Sequence, residues 1–207
     1  MTARLLNRFA AHYILVMMCV TRVFAFVAGG LCICYVNLTF HLSLYTQRHF
    51  EIAAVSVILL TAVLTVLMAL WETRDLRGAL ALLKGGKPVD QPMALAAGRQ
   101  AVLFPGRHAL HEALLDPFIT ILPLCVVLHF ADNAPTLVMV QVGIAGFMGL
   151  AAIIMTTFFI SERWLRPVIQ HLLDEGLPVA YTQLPESKLQ SRMTVCFGLT
   201  TGALAGS

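Results

Sequence analysis

Charge is scarce in this chain. Lys, Arg, Asp and Glu make up 12% of its 207 residues and hydrophobic residues 58%, whereas a soluble domain carries about 25% charged and 45 to 50% apolar residues. An ordinary water-facing surface cannot be assembled from this composition, and the mean hydropathy of +0.81 points to lipid as the solvent. Catalytic motifs are missing as well. The sequence holds no Walker loop, no dinucleotide fingerprint, no Ser-His-Asp order and no paired carboxylates in a loop, so this chain is not expected to be an enzyme or to carry a cofactor, and no nucleic-acid partner is expected. Its five cysteines, Cys19, Cys32, Cys34, Cys125 and Cys196, all fall in apolar runs, where a thiol behaves as a small apolar group and no disulfide framework follows. Cys32 and Cys34 fall on different helix faces and do not chelate.

Long hydrophobic runs are what the chain has in quantity. A membrane helix needs about 20 mostly apolar residues, and five stretches meet or approach that. They run from Tyr13 to Leu38 with Arg22 inside, Ile52 to Trp71, Ala113 to Phe130 with Asp116, Pro117 and Pro123, Leu137 to Ile160, and from Met193 to the last residue, Ser207. The first is far longer than the apolar region of a signal peptide and is read as a retained helix. Residues Arg4 to Tyr13 form an amphipathic start at the interface.

Lys and Arg outside the spans are strongly one-sided. Twelve (Arg4, Arg8, Arg74, Arg77, Lys84, Lys87, Arg99, Arg107, Arg163, Arg166, Lys188 and Arg192) fall on one side and only Arg48 on the other. The positive-inside rule then predicts a cytoplasmic N-terminus, with segments 72–111 and 161–192 also cytoplasmic, in a bacterial inner membrane. The predicted fold is an all-α polytopic helical bundle with cytoplasmic amphipathic linker helices.

The two cytoplasmic segments resemble each other. Leu76-Arg77 and Gly86-Lys87-Pro88-Val89 align with Leu165-Arg166 and Gly176-Leu177-Pro178-Val179, which predicts a twofold internal repeat of two membrane helices plus an arm. The expected organisation is an N-terminal segment 1–12, repeats 13–111 and 112–192, and the start of a fifth helix at 193–207. Leu76, Leu80 and Leu83 make an apolar stripe in the first arm, with Gly85-Gly86 as its stop. Leu165, Val168, Ile169, Leu172 and Leu173 do the same in the second, where Pro167 fits an early turn or a kink and Gly176 a C-cap. Such helices serve as interfacial stabilisers or as mechanical arms.

Arg22 lies inside the first span, where a charge costs a few kcal/mol, and is placed to pair with Asp116. The alternatives are a snorkelling Arg22 and an interfacial Asp116. His108 and His111, beside Glu112, lack the further donors of a metal site, and His129 has no partner for a bis-His haem. His41, His49, His129 and Asp132 compose an outer pH- or metal-sensitive cluster, or remain solvated interface residues, the simpler reading for the histidines. Gly143, Gly146 and Gly149, and Gly198 with Gly202, provide small faces for packing in the bundle or for homodimerisation. Arg22, Asp116, His129, Arg77, Arg166 and Pro167 are the candidate ligand or coupling residues.

The segment from Glu162 to Arg192 carries Glu162-Arg163-x-Leu165-Arg166-Pro167, Gly176-x-Pro178, Leu184-Pro185, Lys188 and Arg192. It resembles the juxtamembrane part of bacterial multi-span sensor domains that precede a HAMP linker and a class III adenylate/guanylate cyclase or a histidine kinase. The resemblance implies a six-helix membrane part, a regulatory input and an effector beyond residue 207, so that the chain is an N-terminal fragment or a stand-alone remnant. Its partners would be the bilayer, a second copy, and a lipophilic or outer-face ligand. The competing class is a small transporter or channel-like protein with parallel repeats, which predicts flux lost in Arg22→Ala or Asp116→Ala.

Overall fold

The computed structural model describes residues 12–40, 43–132 and 134–174, and every regular element among them is helical. The amphipathic start with Arg4 and Arg8, His41, the linker 176–192 and the fifth span with Cys196, Gly198 and Gly202 lie outside the described residues. The elements are α1 (Tyr13–Thr39), α2 (Leu44–Glu72), α3 (Arg74–Lys84), α4 (Gln91–Asp116), a π-helical turn (Pro117–Ile121), α5 (Leu122–Asp132) and α6 (Thr136–Asp174). Among the described residues, four stretches are long and apolar enough to cross a membrane: Tyr13–Thr39, Leu44–Glu72, Gln91–Phe130 and Thr136–Leu172. The protein is thus an all-helical polytopic membrane protein with short linker helices.

Two spans start earlier than hydropathy places them. Span two begins at Leu44 because Ser43 caps it, its hydroxyl accepting from the Thr46 amide at 3.1 Å. Its polar first turns are also satisfied, Glu51 accepting from Asn37 at 2.7 Å and Gln47 at 3.0 Å. Span three is the larger correction: helix runs from Gln91, uninterrupted across residues 111 and 112, to Asp132, although the sequence places its start near Ala113. Asp90 in the N-cap position and a Pro in the first turn mark that earlier start. Pro117 has no N–H to give to the preceding turn, and the helix widens there into the π turn, closed by the Leu122 N–H on the Pro117 carbonyl.

Lipid explains which side chains face out. Val23, Leu31, Leu67, Leu114, Phe118 and Met148 are each more than half exposed, while Arg22, Thr65, Glu72, His108, Glu112, Asp116 and Thr157 are buried. In hydrocarbon, an apolar face needs no cover and a polar group must find its partner inside. Gly146 and Gly149 serve packing within the bundle: an added Cβ would stand 3.1 Å from the Ile121 side chain and 2.8 Å from Cys32 Sγ, respectively, whereas Gly143 faces open space.

Helix α6, with 39 residues, is about 58 Å long and overshoots roughly 30 Å of hydrocarbon. Its end packs with α3, the first half of α4 and the start of α1 around Tyr13, Met17, Leu76, Leu80, Phe104 and Val168. The stripes expected in both arms share one core, apart from Leu173, whose side chain lies outside the described residues. The arms differ in construction: the first is a separate helix after a break at Thr73, the second a continuation of α6 through Pro167. Gly86, at φ +65°, ends the first arm, and the Lys87 and Gly86 amides return to the Leu82 and Leu83 carbonyls at 3.0 Å each. Gln100 of α4 holds the other end of α3. Its carbonyl accepts from the Leu76 amide at 2.9 Å and its amide donates to Asp75 at 2.8 Å.

Candidate functional site

On α4 the buried positions Ala94, Ala97, Gly98, Ala101, Phe104, Pro105, His108, Glu112 and Asp116 recur every three or four residues. One face of a helix therefore starts small and ends titratable, and that polar end is pressed into the centre of the bundle. His108 is 1% exposed and Glu112 0%, which corrects the expectation that His108 is a solvated interface residue. Glu72, the last residue of α2, takes both histidines of this face. Its carboxylate lies 2.9 Å from His108 Nδ1 and 2.5 Å from His111 Nδ1, with Arg107 Nε at 3.7 Å. An ionised carboxylate only accepts, so Nδ1 of both rings donates. The His108 ring also stacks on Phe104 at 4.8 Å.

Arg22 completes the network from α1. Its guanidinium donates to Glu112 Oε1 at 2.5 Å and to Thr157 Oγ1 of α6 at 3.3 Å. The pairing expected with Asp116 is thus corrected to Glu112, one helical turn earlier. A turn of helix separates the two carboxylates on the same face, and charge placement along a sequence does not distinguish them. His108 Nε2 stands 3.7 Å from Glu112 Oε1, beyond hydrogen-bonding distance. Arg22 Nε, His108 Nε2, Glu112 Oε2 and Ser161 Oγ have no hydrogen-bond partner among the described residues. Buried polar atoms in that condition are uncommon and call for an explanation.

Beside the network lies a cavity of about 120 Å³ bounded by α1, α2, the π turn, α5 and α6. Arg22, Thr61, Asp116 and Thr120 give it a polar part, and Gly29, Ile33, Leu124, Val142 and Gly146 an apolar one. The π turn shapes it directly, since Asp116 precedes the turn and Thr120 and Ile121 belong to it. The Thr120 hydroxyl donates to the Asp116 carbonyl at 2.5 Å.

The other sequence candidates lie elsewhere. Arg77 donates to the Leu70 carbonyl at 2.8 Å and so closes the end of α2. Arg166 pairs on the surface with Glu162 at 3.3 Å, and Pro167 sits inside α6. His129 packs edge-on against Phe130, and His49 lies on the Tyr45 ring and its carbonyl oxygen. Glu72, Glu112 and Thr157 are network members the sequence did not single out. The i, i+4, i+8 spacing of His108, Glu112 and Asp116 is the signal that exposes two of the three carboxylates. Comparison with protein-family models, curated proteins and solved structures finds no match to this chain.

Proposed function

We propose that this chain is the membrane-embedded input part of a bacterial inner-membrane signalling protein, controlling a cytoplasmic cyclase or kinase effector not contained in it. The observation that carries this reading is the route of the buried network. Glu72 is the residue before the break that begins arm α3, and Thr157 lies one turn before Ser161, where the α6 extension starts. A shift in how Arg22, Glu112 and Glu72 pair is therefore mechanically connected to both arms, and α3 is tied back to α4 by Gln100. Two packings of such a network, each stabilised in a different ligand state, make a population switch.

In this reading the N-terminus, α3 and the segment 161–192 are cytoplasmic, two copies associate through their membrane helices, and the aligned arms descend from a duplicated unit. A lipophilic ligand enters the cavity, and the network transmits its presence. The transporter reading has less support. A pathway needs polar groups along the whole bundle, whereas Val36, Phe50, Leu128 and Val142 form an apolar cluster toward the opposite end.

Spin labels at Ala81 and Gln170, both exposed, in a chain with its cysteines replaced, test the coupling by electron spin resonance. Glu112→Gln should shift or broaden the distance between the arms. An unchanged distance in both Glu112→Gln and Arg22→Gln would sink the input reading, and proton-driven flux in proteoliposomes would establish the transporter instead.

A further inference from the structure

We infer that the intramembrane cavity binds a small lipophilic amine, whose protonated nitrogen pairs with Asp116. Asp116 is 5% exposed and lines the cavity, and its carboxylate makes no hydrogen bond or ion pair among the described residues. Thr61, 7% exposed, lines the same space, and its buried hydroxyl oxygen is likewise without a partner. The Thr61 oxygen is itself covered, whereas Asp116 lines the chamber with the hydrogen-bonding capacity of its carboxyl group unused. Once ionised that group only accepts, so the missing group is a donor.

Charge decides which donor. Arg22 also borders the cavity, and its Nη2 already donates to Glu112 and Thr157. An amine can take up the carboxyl proton and remain as an ammonium beside the carboxylate, a neutral alcohol leaves no such pair, and a ligand carboxylate adds a negative charge next to Glu112 and Asp116 in a medium where like charges repel strongly. Size narrows the class further. A chamber of about 120 Å³ takes an apolar body roughly the size of a single small ring, too small for a two-chain lipid.

Bilayer-facing space adjoins the chamber. A groove of about 530 Å³ between α1 and α6 is lined by Leu31, Tyr35, Gln141 and Met148. It shares Ala28, Cys32, Ala145 and Gly149 with the inner chamber. The seam between the two is the place where Gly149 and Cys32 nearly touch. An amine partitions into the bilayer in its neutral form and, in the chamber, accepts the proton of the Asp116 carboxyl group, leaving the ammonium paired with the carboxylate.

This ligand class rests on the input reading for its purpose but not for its test. The cavity residue Ala25 is replaced by Cys in the full chain with the five native cysteines changed to Ala, and its alkylation by N-ethylmaleimide is followed in detergent micelles. Cyclohexylmethylamine, cyclohexylmethanol and cyclohexanecarboxylate are the protecting probes. The amine should protect at about tenfold lower concentration than the alcohol, as a charge-assisted hydrogen bond predicts, with the carboxylate weakest. Asp116→Asn should bring the amine to within about twofold of the alcohol, once the charge assistance is removed, while the alcohol's own protection shows that the chamber is intact. Asp116→Glu should retain the amine preference and serves if the Asn variant does not fold. Equal protection by amine and alcohol, a preference for the carboxylate, or an amine preference that survives Asp116→Asn overturns the assignment. Protection by the amine with no change between spin-labelled arms would retain the site and remove the signalling reading. Arms that respond to Glu112→Gln without any amine preference would do the reverse.

Discussion

The two ends of the bundle are built on different physics. At one end Arg22, Glu72, His108 and Glu112 are buried together with Asp116 beside them, the first four held by short polar contacts with several atoms left unpaired. At the other, Val36, Phe50, Leu128, Ala134 and Val142 pack as a small apolar cluster. In a bilayer the apolar cluster has no hydrophobic drive behind it, because lipid tails are as apolar as the cluster itself, and its side chains are held by van der Waals fit, with the Asn37–Glu51 hydrogen bond beside them. The charged end is held by the cost of any alternative: a lone guanidinium or carboxylate in hydrocarbon is worse than an imperfect pair. The first kind of packing is permissive and the second is close to all-or-none. A switch belongs at the second.

Substitutions can break this contrast. The largest effect is expected from Glu112→Ala, which strands Arg22 in the bundle and should cost about 3–5 kcal/mol in reversible unfolding in detergent micelles. Replacing both partners, Arg22→Met with Glu112→Leu, should recover most of that loss. A double variant as unstable as the single one would show that the pair is not the unit. At the apolar end Phe50→Ala should cost about 2 kcal/mol, less than a soluble core would lose, because the transfer contribution is small in lipid. A loss as large as that of Glu112→Ala would erase the distinction between the ends.

Smaller effects sharpen it. His111 is 32% exposed and shares Glu72 with His108 and Arg107, so His111→Ala should cost about 1 kcal/mol after discounting for solvent. Arg166, 69% exposed in its pair with Glu162, should cost under about 0.5 kcal/mol on replacement by Ala. Thermal melts of the purified variants would rank the two, and the reverse order would move the network's boundary outward.

Membrane class, four of the spans and the apolar faces of both arms are legible in the sequence, because each depends on local composition and helical period. Leu76 and Leu80, and Leu165, Val168 and Leu172, are buried as their spacing requires. The start of span three is hidden by hydropathy, since Ala, Gln and Gly between 91 and 101 score as neither membrane nor loop. The pairing of Arg22 is hidden for another reason. Glu112 and Asp116 are equivalent on a helical wheel, and only the depth and rotation of α4 against α1 select between them.

The sequence alone determined that this protein lives in lipid, that a charge at Arg22 inside the first span is costly, and that two amphipathic arms lie in the basic segments. Those follow from the free energy of single residues in hydrocarbon and from a period of 3.6. Tertiary structure decided which carboxylate answers Arg22, that Glu72 at the root of one arm joins the same network, and that Asp116 is left facing a cavity. Each of these depends on where helices distant in sequence cross, and the π turn at Pro117 sets how the helix that carries Asp116 continues past α1, α2 and α6.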